Sequence, residues 1–360
     1  MFSTKKYSSG KQKILLLIDM YNWSFHNIAK KIQSNIKQHS VDILTTTDYK
    51  TKMKNQVQRG EISSMNRKQP SSEDRKYFII IFLFPSSYFS IPELEYIKKY
   101  NKAKIYFCLY DNFVWRNINT IPSLEKDRIN SFNSIKFWIK FCDGYFYASP
   151  HIKKSLQENY SIDELNKPNY YCMDGVDTTL FKFKRYSNDI LTKKKLKIGW
   201  IGDSNPKASG IQKGYNEIKK YISDLSANFE FCPLDKQIKQ IPHNEVPEYI
   251  YNIDIIVCYS TCEGTPNQIL ESSSCGRCWV STDVGIVSSV YNTIKNNPTG
   301  IIIKKNEMAF KDALMKLYNN RELIVKFGMN GRKAIQVKWD WKDRLEGFKR
   351  LIDIDYFGIN

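Results

Sequence analysis

Short apolar runs alternate along the chain with stretches whose apolar positions recur every three or four residues. Residues 13–19 predict a buried strand that runs into a turn. From position 23 to 36, Ile28, Ala29, Ile32 and Ile36 share one face of a helix. Strand-like runs recur at 41–44, 77–84, 104–109 and 144–148. Between the last two, Ile129, Phe132, Ile135, Trp138 and Phe141 line up as a helical face. Residues 50–76 interrupt this rhythm, because they are rich in Lys, Ser, Asn and Gln and show no apolar period. They predict a long mobile loop inserted between two strands.

After a break around 173–188 the alternation restarts. Strands are expected at 197–201, 229–232, 254–259 and 279–282, with 301–303 closing the sheet. A helix is expected at 215–225, two more at 309–318 and 322–337, and a last one from 341 to about 352. Strands that alternate with helices indicate parallel βαβ units. The chain has 360 residues, more than one ordinary core holds and suited to two domains. The predicted class is therefore α/β, with two doubly wound, Rossmann-like domains. The expected division is 1–175, 176–340 and a C-terminal helix and tail over 341–360 that returns to the first domain. In such sheets ligands bind beyond the carboxyl ends of the strands, so the loops there are the candidate site.

Composition narrows the classes. With 42% hydrophobic and 14% aromatic residues the chain is not a disordered one. The apolar run at 77–84 is far shorter than the roughly 20 residues of a membrane span. The polar N-terminus does not read as a signal peptide, so a cytoplasmic location is expected. The net charge is +18, and residues 1–180 carry 27 − 17 = +10 of it. Such a field attracts phosphate in nucleotides, nucleic acid or anionic lipid, or else is a solvated lysine-rich surface. Of the eight cysteines only Cys275 and Cys278 have CxxC spacing, and no second pair follows at a zinc-ligand distance. No metal is expected.

Neither a G-x-x-x-x-G-K-[ST] loop nor a G-x-G-x-x-G turn follows either leading strand. The informative segment is 254–285, DIIVCYSTCEGTPNQILESSSCGRCWVSTDVG. A strand ends near Tyr259, a short loop follows, and a helix starts near Pro266. Thr265 is the expected N-cap with Pro266 at the first helical position. The amides of Asn267 and Gln268 would then face a phosphate or a sugar hydroxyl. Glu263 and Glu271 follow eight residues apart, and a carboxylate that accepts two hydrogen bonds suits a ribose diol.

This segment resembles the donor-site signature of the retaining glycosyltransferases of the GT-B fold, family four, also called glycosyltransferase group 1. The matching residues are Glu263, Gly264, Pro266, Asn267, Glu271, Cys275, Gly276, Thr282, Asp283 and Gly285. The run from Met173 to Asp177, with Phe181 following, looks like the hinge N-G-V-D…F, with Asp174 in place of the usual Asn. The run from Lys197 to Gly202 resembles the strand that opens the donor domain, and Lys213 with Gly214 its K-G pair. The likeness is good over roughly 170–345 and only architectural before that.

What the resemblance implies is a two-domain GT-B enzyme that moves a sugar from a nucleoside-diphosphate sugar to a glycan, lipid-linked or other hydroxyl acceptor, without a metal or other cofactor. Glu263 and Lys213 would be the catalytic residues. The donor would meet Gly202, Lys207, Gly264, Thr265, Pro266, Asn267 and Glu271. Acceptor-side candidates are Asp19, Tyr110, Asp111 and Trp115. Three features depart from the family pattern. Asp203 to Lys207 stand where an Arg is usual, Asp19 to Ser24 replace a glycine-rich loop, and Tyr110 stands where many members have His. These departures and the charge keep two rivals in view, a nucleic-acid-binding or non-catalytic protein on the same fold, and a nucleotide-sugar epimerase. Nucleic acid is not the expected partner, whereas peripheral contact with an anionic membrane would use the charge of the first domain.

Overall fold

In the computed structural model, residues 13–21, 24–58, 77–83, 91–101, 103–110, 135–161, 165–172, 174–205 and 210–357 are described. They build two parallel sheets. The first holds β1 (Lys13–Ile18), β2 (Ser40–Thr45), β3 (Ile79–Phe82), β4 (Lys104–Leu109), β5 (Gly144–Tyr147) and β6 (Asn169–Tyr171) in the order β2-β1-β3-β4-β5-β6. The second holds β7 (Leu196–Gly202), β8 (Phe229–Asp235), β9 (Ile255–Cys258), β10 (Cys278–Thr282) and β11 (Ile301–Ile303) in the order β11-β10-β9-β7-β8.

The unbroken apolar runs explain the parallel arrangement, since such strands are buried on both faces. In β1, Leu15 and Leu17 enter one core while Ile14, Leu16 and Ile18 enter another on the opposite face. In β9, Ile255 and Val257 divide from Ile256 and Cys258 in the same way. Each sheet is thus covered on both sides by helices. Strand order reverses beside the first strand of each sheet, between β1 and β3 and between β7 and β9. Those reversals open the crevices in which doubly wound folds hold ligands.

Residues 46–58 differ from the sequence expectation. Thr46–Gln58 is a helix, although its residues 50–58 fall in the expected loop. Among its described side chains, Tyr49 and Met53, four residues apart, are the apolar ones it sets against the first sheet's core, too sparse a stripe to show as a period. Residues 59–76 lie outside the described residues. The expected last helix is two pieces, Trp341–Arg344 and Glu346–Phe357, separated at Leu345.

This C-terminal segment returns to the first sheet. Val176 bridges Asp340, and its amide donates to the Trp339 carbonyl at 2.9 Å. Leu345, Phe348, Leu351 and Ile352 are fully buried in the core formed by Ile14, Leu16 and Phe146. The Phe348 ring lies 4.5 Å from that of Phe146. No helix among the described residues is long and apolar enough to cross a membrane.

Candidate active site

Four segments converge beyond the carboxyl ends of β7 and β9. The first is Gly202, the last residue of β7. A Cβ there would meet the Trp200 ring at 2.7 Å and the Lys213 side chain at 3.0 Å, so the bare backbone lets Lys213 lie across the strand end. The second segment is the turn before the helix Tyr215–Asp224, where Gly214 adopts φ +66 as N-cap. Only a residue at ease in the left-handed region turns the chain so tightly, and its missing Cβ leaves room for the Tyr259 ring. Lys213 is aimed by this turn.

The third segment is the loop from Ser260 to Pro266. Lys213 Nζ donates to Glu263 Oε1 at 2.8 Å, and Ser260 Oγ donates to the same oxygen at 2.8 Å. Both ionic side chains are largely buried, at 20% and 13% exposure, so the pair sits in a setting where charge is poorly screened. Gln212 Nε2 donates to the Cys262 carbonyl at 2.6 Å, and the Thr261 amide donates to the Gln212 carbonyl at 2.9 Å. The Lys213 turn and the glutamate loop are therefore clamped to one another. Thr282 Oγ1, at the end of β10, donates to the Ser260 carbonyl at 2.7 Å and fixes the loop's base. Lys305 adds a second ammonium nearby, 2.9 Å from Thr261 Oγ1 and 5.2 Å from the centre of the Tyr259 ring.

The helix Asn267–Ser274 is the fourth segment. Its N-cap is Pro266 rather than the expected Thr265, and no side chain caps it. Thr265 is instead turned inward, its buried hydroxyl without a hydrogen-bond partner among the described residues. Asn267 is the first residue of the helix. Glu271 stands one turn further on, 12% exposed, and its Oε1 lies 3.0 Å from His243 Nε2. That hydrogen bond to Glu271 is the main reason the His243 imidazole is pushed above its ordinary pKa, against the opposing effect of burial.

The first domain closes the site from the other side. A Cβ on Gly264 would fall 1.3 Å from the Tyr110 carbonyl oxygen, so the glutamate loop touches the backbone that leaves β4. His151 Nδ1 lies 2.8 Å from the Gly285 carbonyl, a contact that an imidazole N–H must donate. The helix Pro150–Asn159 that carries His151 begins with Ser149, whose Oγ accepts the Ile152 amide at 3.2 Å, and with Pro150 in its first turn. Gly285 has φ +57 and is pressed against the Glu263 and Gly264 carbonyls. The ends of the two sheets thus face each other across Tyr110, Gly264, His151 and Gly285.

Of the residues singled out in the sequence, Gly202, Lys213, Glu263, Gly264, Thr265, Pro266, Asn267 and Glu271 come together here. Asp19 follows β1 and is half-buried, with Oδ1 accepting the Met20 amide at 2.8 Å. Tyr110 follows β4 at the domain junction. Lys207, Asp111 and Trp115 lie outside the described residues. Gln212, Ser260, His243, His151 and Lys305 belong to the site and carry no motif of their own. Their only signal in the sequence is position, after a strand or beside a motif residue. Among the described residues no three His, Cys, Asp or Glu side chains gather as a metal site.

Comparison with known proteins meets this geometry. Residues 209–334 match the model of the family Glycosyl transferases group 1. An uncharacterized glycosyltransferase of Methanocaldococcus jannaschii is 25% identical over 167 residues, which cover 39% of this chain and 45% of that protein. The match thus spans less than half of that curated relative's length. The fold is shared much more widely. Sucrose-phosphate synthase of Thermosynechococcus elongatus superposes with a TM-score of 0.69 at 12% identity, over 97% of this chain and 100% of that one. HepE of Anabaena, in complex with UDP and glucose, gives 0.63 at 11% identity over 95% and 99%. The catalytic domain of starch synthase IV from Arabidopsis thaliana, bound to ADP and acarbose, gives 0.64 at 12% identity over 96% and 99%. Residues 209–334, in the second domain, are thus similar to the glycosyl transferases group 1 family, and the chain as a whole has the GT-B fold that these structures share.

Proposed function

We propose that the protein is a retaining glycosyltransferase that moves a sugar from a nucleoside-diphosphate sugar to a hydroxyl acceptor on a glycan or a lipid-linked carrier. The observation that carries this reading is the Lys213–Glu263 pair, held by Ser260 and Gln212 at the mouth of the β7/β9 crevice. A diphosphate placed against the Lys213 ammonium and the amides of Asn267 and Gln268 has its charge met without a metal. The ribose diol donates to Glu271, displacing or sharing His243. Glu263, already ionic and oriented, accepts hydrogen bonds from hydroxyls of the transferred sugar. Two of the similar structures hold UDP with glucose and ADP with acarbose, which supports a nucleotide and a sugar in this crevice.

The chain's own residues then have distinct tasks. Lys213 stabilises charge that grows on the leaving diphosphate as the glycosidic bond lengthens, an interaction stronger in the transition state than in the ground state. No described carboxylate is set as a covalent nucleophile, so attack from the leaving group's face, with a phosphate oxygen taking the acceptor's proton, is the retaining route that this reading adopts. The contacts of Tyr110 with Gly264 and of His151 with Gly285 bring the domains together and exclude water from the donor. The acceptor enters from the first domain, past Asp19 and Tyr110. Calorimetric titration with UDP, ADP and GDP tests the donor site. Micromolar binding of one of them, weakened by Glu271→Ala, supports it, and binding of none counts against it.

A further inference from the structure

Glu271 is held by a residue from outside its own helix. His243 opens the short helical turn His243–Glu245 between β8 and β9, directly after Pro242. Pro242 fixes the backbone on entry, and the Glu245 amide donates to its carbonyl at 2.9 Å, so the turn that carries the imidazole is stiff. The Phe181 ring lies 5.3 Å from the His243 ring. Phe181 is fully buried in the linker, where its amide donates to the Asp177 carbonyl at 2.8 Å and its carbonyl accepts from Ser274 Oγ at 2.6 Å. Asp177 is in turn ion-paired with Lys31 of the first domain's helix Ser24–Asn35. The imidazole is thus set between the linker and the helix Asn267–Ser274, with Nε2 3.0 Å from Glu271 Oε1. A carboxylate only accepts, so Nε2 carries the proton and the imidazole donates.

We infer that His243 is a positioning residue that presents the Glu271 carboxylate to a ribose diol, and so makes the crevice select ribonucleotides over 2′-deoxyribonucleotides. The role rests on the nucleotide-donor reading of the crevice and adds to it a cause of selection at the ribose. A carboxylate has about four acceptor positions on its two oxygens. His243 takes one of them on Oε1, and among the described residues no second hydrogen bond reaches this carboxylate. Two neighbouring hydroxyls therefore have places without displacing the imidazole. A glutamate left free has side-chain torsions to lose when it binds, and the His243 bond has already removed that freedom. Selection follows from the same bond. A 2′-deoxy sugar leaves one position of an oriented, largely buried carboxylate unfilled, whereas an untethered carboxylate can turn toward water.

Calorimetric titration with UDP, ADP and GDP, each beside its 2′-deoxy form, tests the role. The wild type is expected to bind one ribose form about tenfold more tightly than its deoxy form. His243→Ala is expected to weaken the ribose form about fivefold and the deoxy form hardly at all, so the preference falls to about twofold. His243→Gln can place an amide N–H where Nε2 stands and is expected to keep the preference. Added to Glu271→Ala, His243→Ala is expected to change nothing further, because His243 acts through that carboxylate. Should His243→Ala not fold, His243→Leu keeps the bulk against Phe181 and still removes the N–H. Equal weakening of both forms in His243→Ala, an undiminished preference, or a further loss on the Glu271→Ala background would each overturn the role. Wild-type binding without a preference for ribose would overturn it while leaving a nucleotide site in place. Binding of no nucleotide would fail the donor reading and the role with it.

Discussion

Lys213 and Glu263 neutralise one another in the structure, and a donor must compete for both. The ammonium is worth most where charge appears during reaction, so Lys213→Ala is expected to lower kcat by about 100-fold with a smaller change in donor KM. In the proposed complex Glu271 would offer its carboxylate to a hydroxyl pair in the bound state and the transition state alike. Glu271→Ala is therefore expected to raise the donor Kd by about tenfold or more while kcat falls less. Steady-state kinetics that showed the opposite division would reverse the two assignments. Gly264 has no room for a methyl group, since Tyr110 backbone occupies that place. Gly264→Ala is expected to force the loop off the first domain and abolish turnover, while thermal unfolding shows the protein still folded. Asp174 gives a test of stability. Its folded-state value of about 7 lies above the ordinary carboxylate value of 3.8. The folded state thus holds a proton that the unfolded state has lost, and stability falls as pH rises from about 4 to 7. The loss has an upper limit on the order of 4 kcal/mol, and Asp174→Asn is expected to abolish this slope in urea titrations between pH 5 and 8.

The strands were legible because both faces are buried: Leu15, Leu16 and Leu17 all point into cores, and no polar residue could stand between them. β6 was not, because Asn169–Tyr171 is an edge strand with an exposed Asn and two half-buried Tyr, too short and too polar to form a run. The helix Thr46–Gln58 escaped because, among its described side chains, Tyr49 and Met53 are the apolar ones that pack on the core. The candidate residues Glu263 to Glu271 could be picked out as one group because the strand, loop and helix around them are contiguous from Ile255 to Ser274. His243 and Glu271, 28 residues apart, meet only through the sheet topology. Nothing local in the sequence pairs them. At this scale the C-terminal helix offers the clearest measurement. Leu351 is fully buried against the first sheet, so Leu351→Ala is expected to cost roughly 2–5 kcal/mol in denaturant unfolding. A loss under about 0.5 kcal/mol would mean the helix does not hold that face in solution.

For the whole molecule, the proposed donor crevice would give Lys213 and Lys305 a smaller anion than nucleic acid to meet, and so a use for part of the net charge of +18. The +10 on the first half, 27 − 17, is left for another use. If it brings the protein to a lipid-linked acceptor, the chain is expected to float with vesicles rich in anionic lipid and to be released by salt, as screening weakens attraction beyond about 10 Å at 0.1 M. Absence of flotation at low salt would return those lysines to a solvated surface. The central claim is transfer from a nucleotide sugar, and the slow loss of sugar to water tests it without knowledge of the acceptor. A panel of UDP-, ADP- and GDP-sugars, followed by release of the nucleoside diphosphate, is the most direct measurement. The expected result is hydrolysis of one donor, reduced about 100-fold in Lys213→Ala. No release from any donor, or release unchanged in Lys213→Ala, would contradict it.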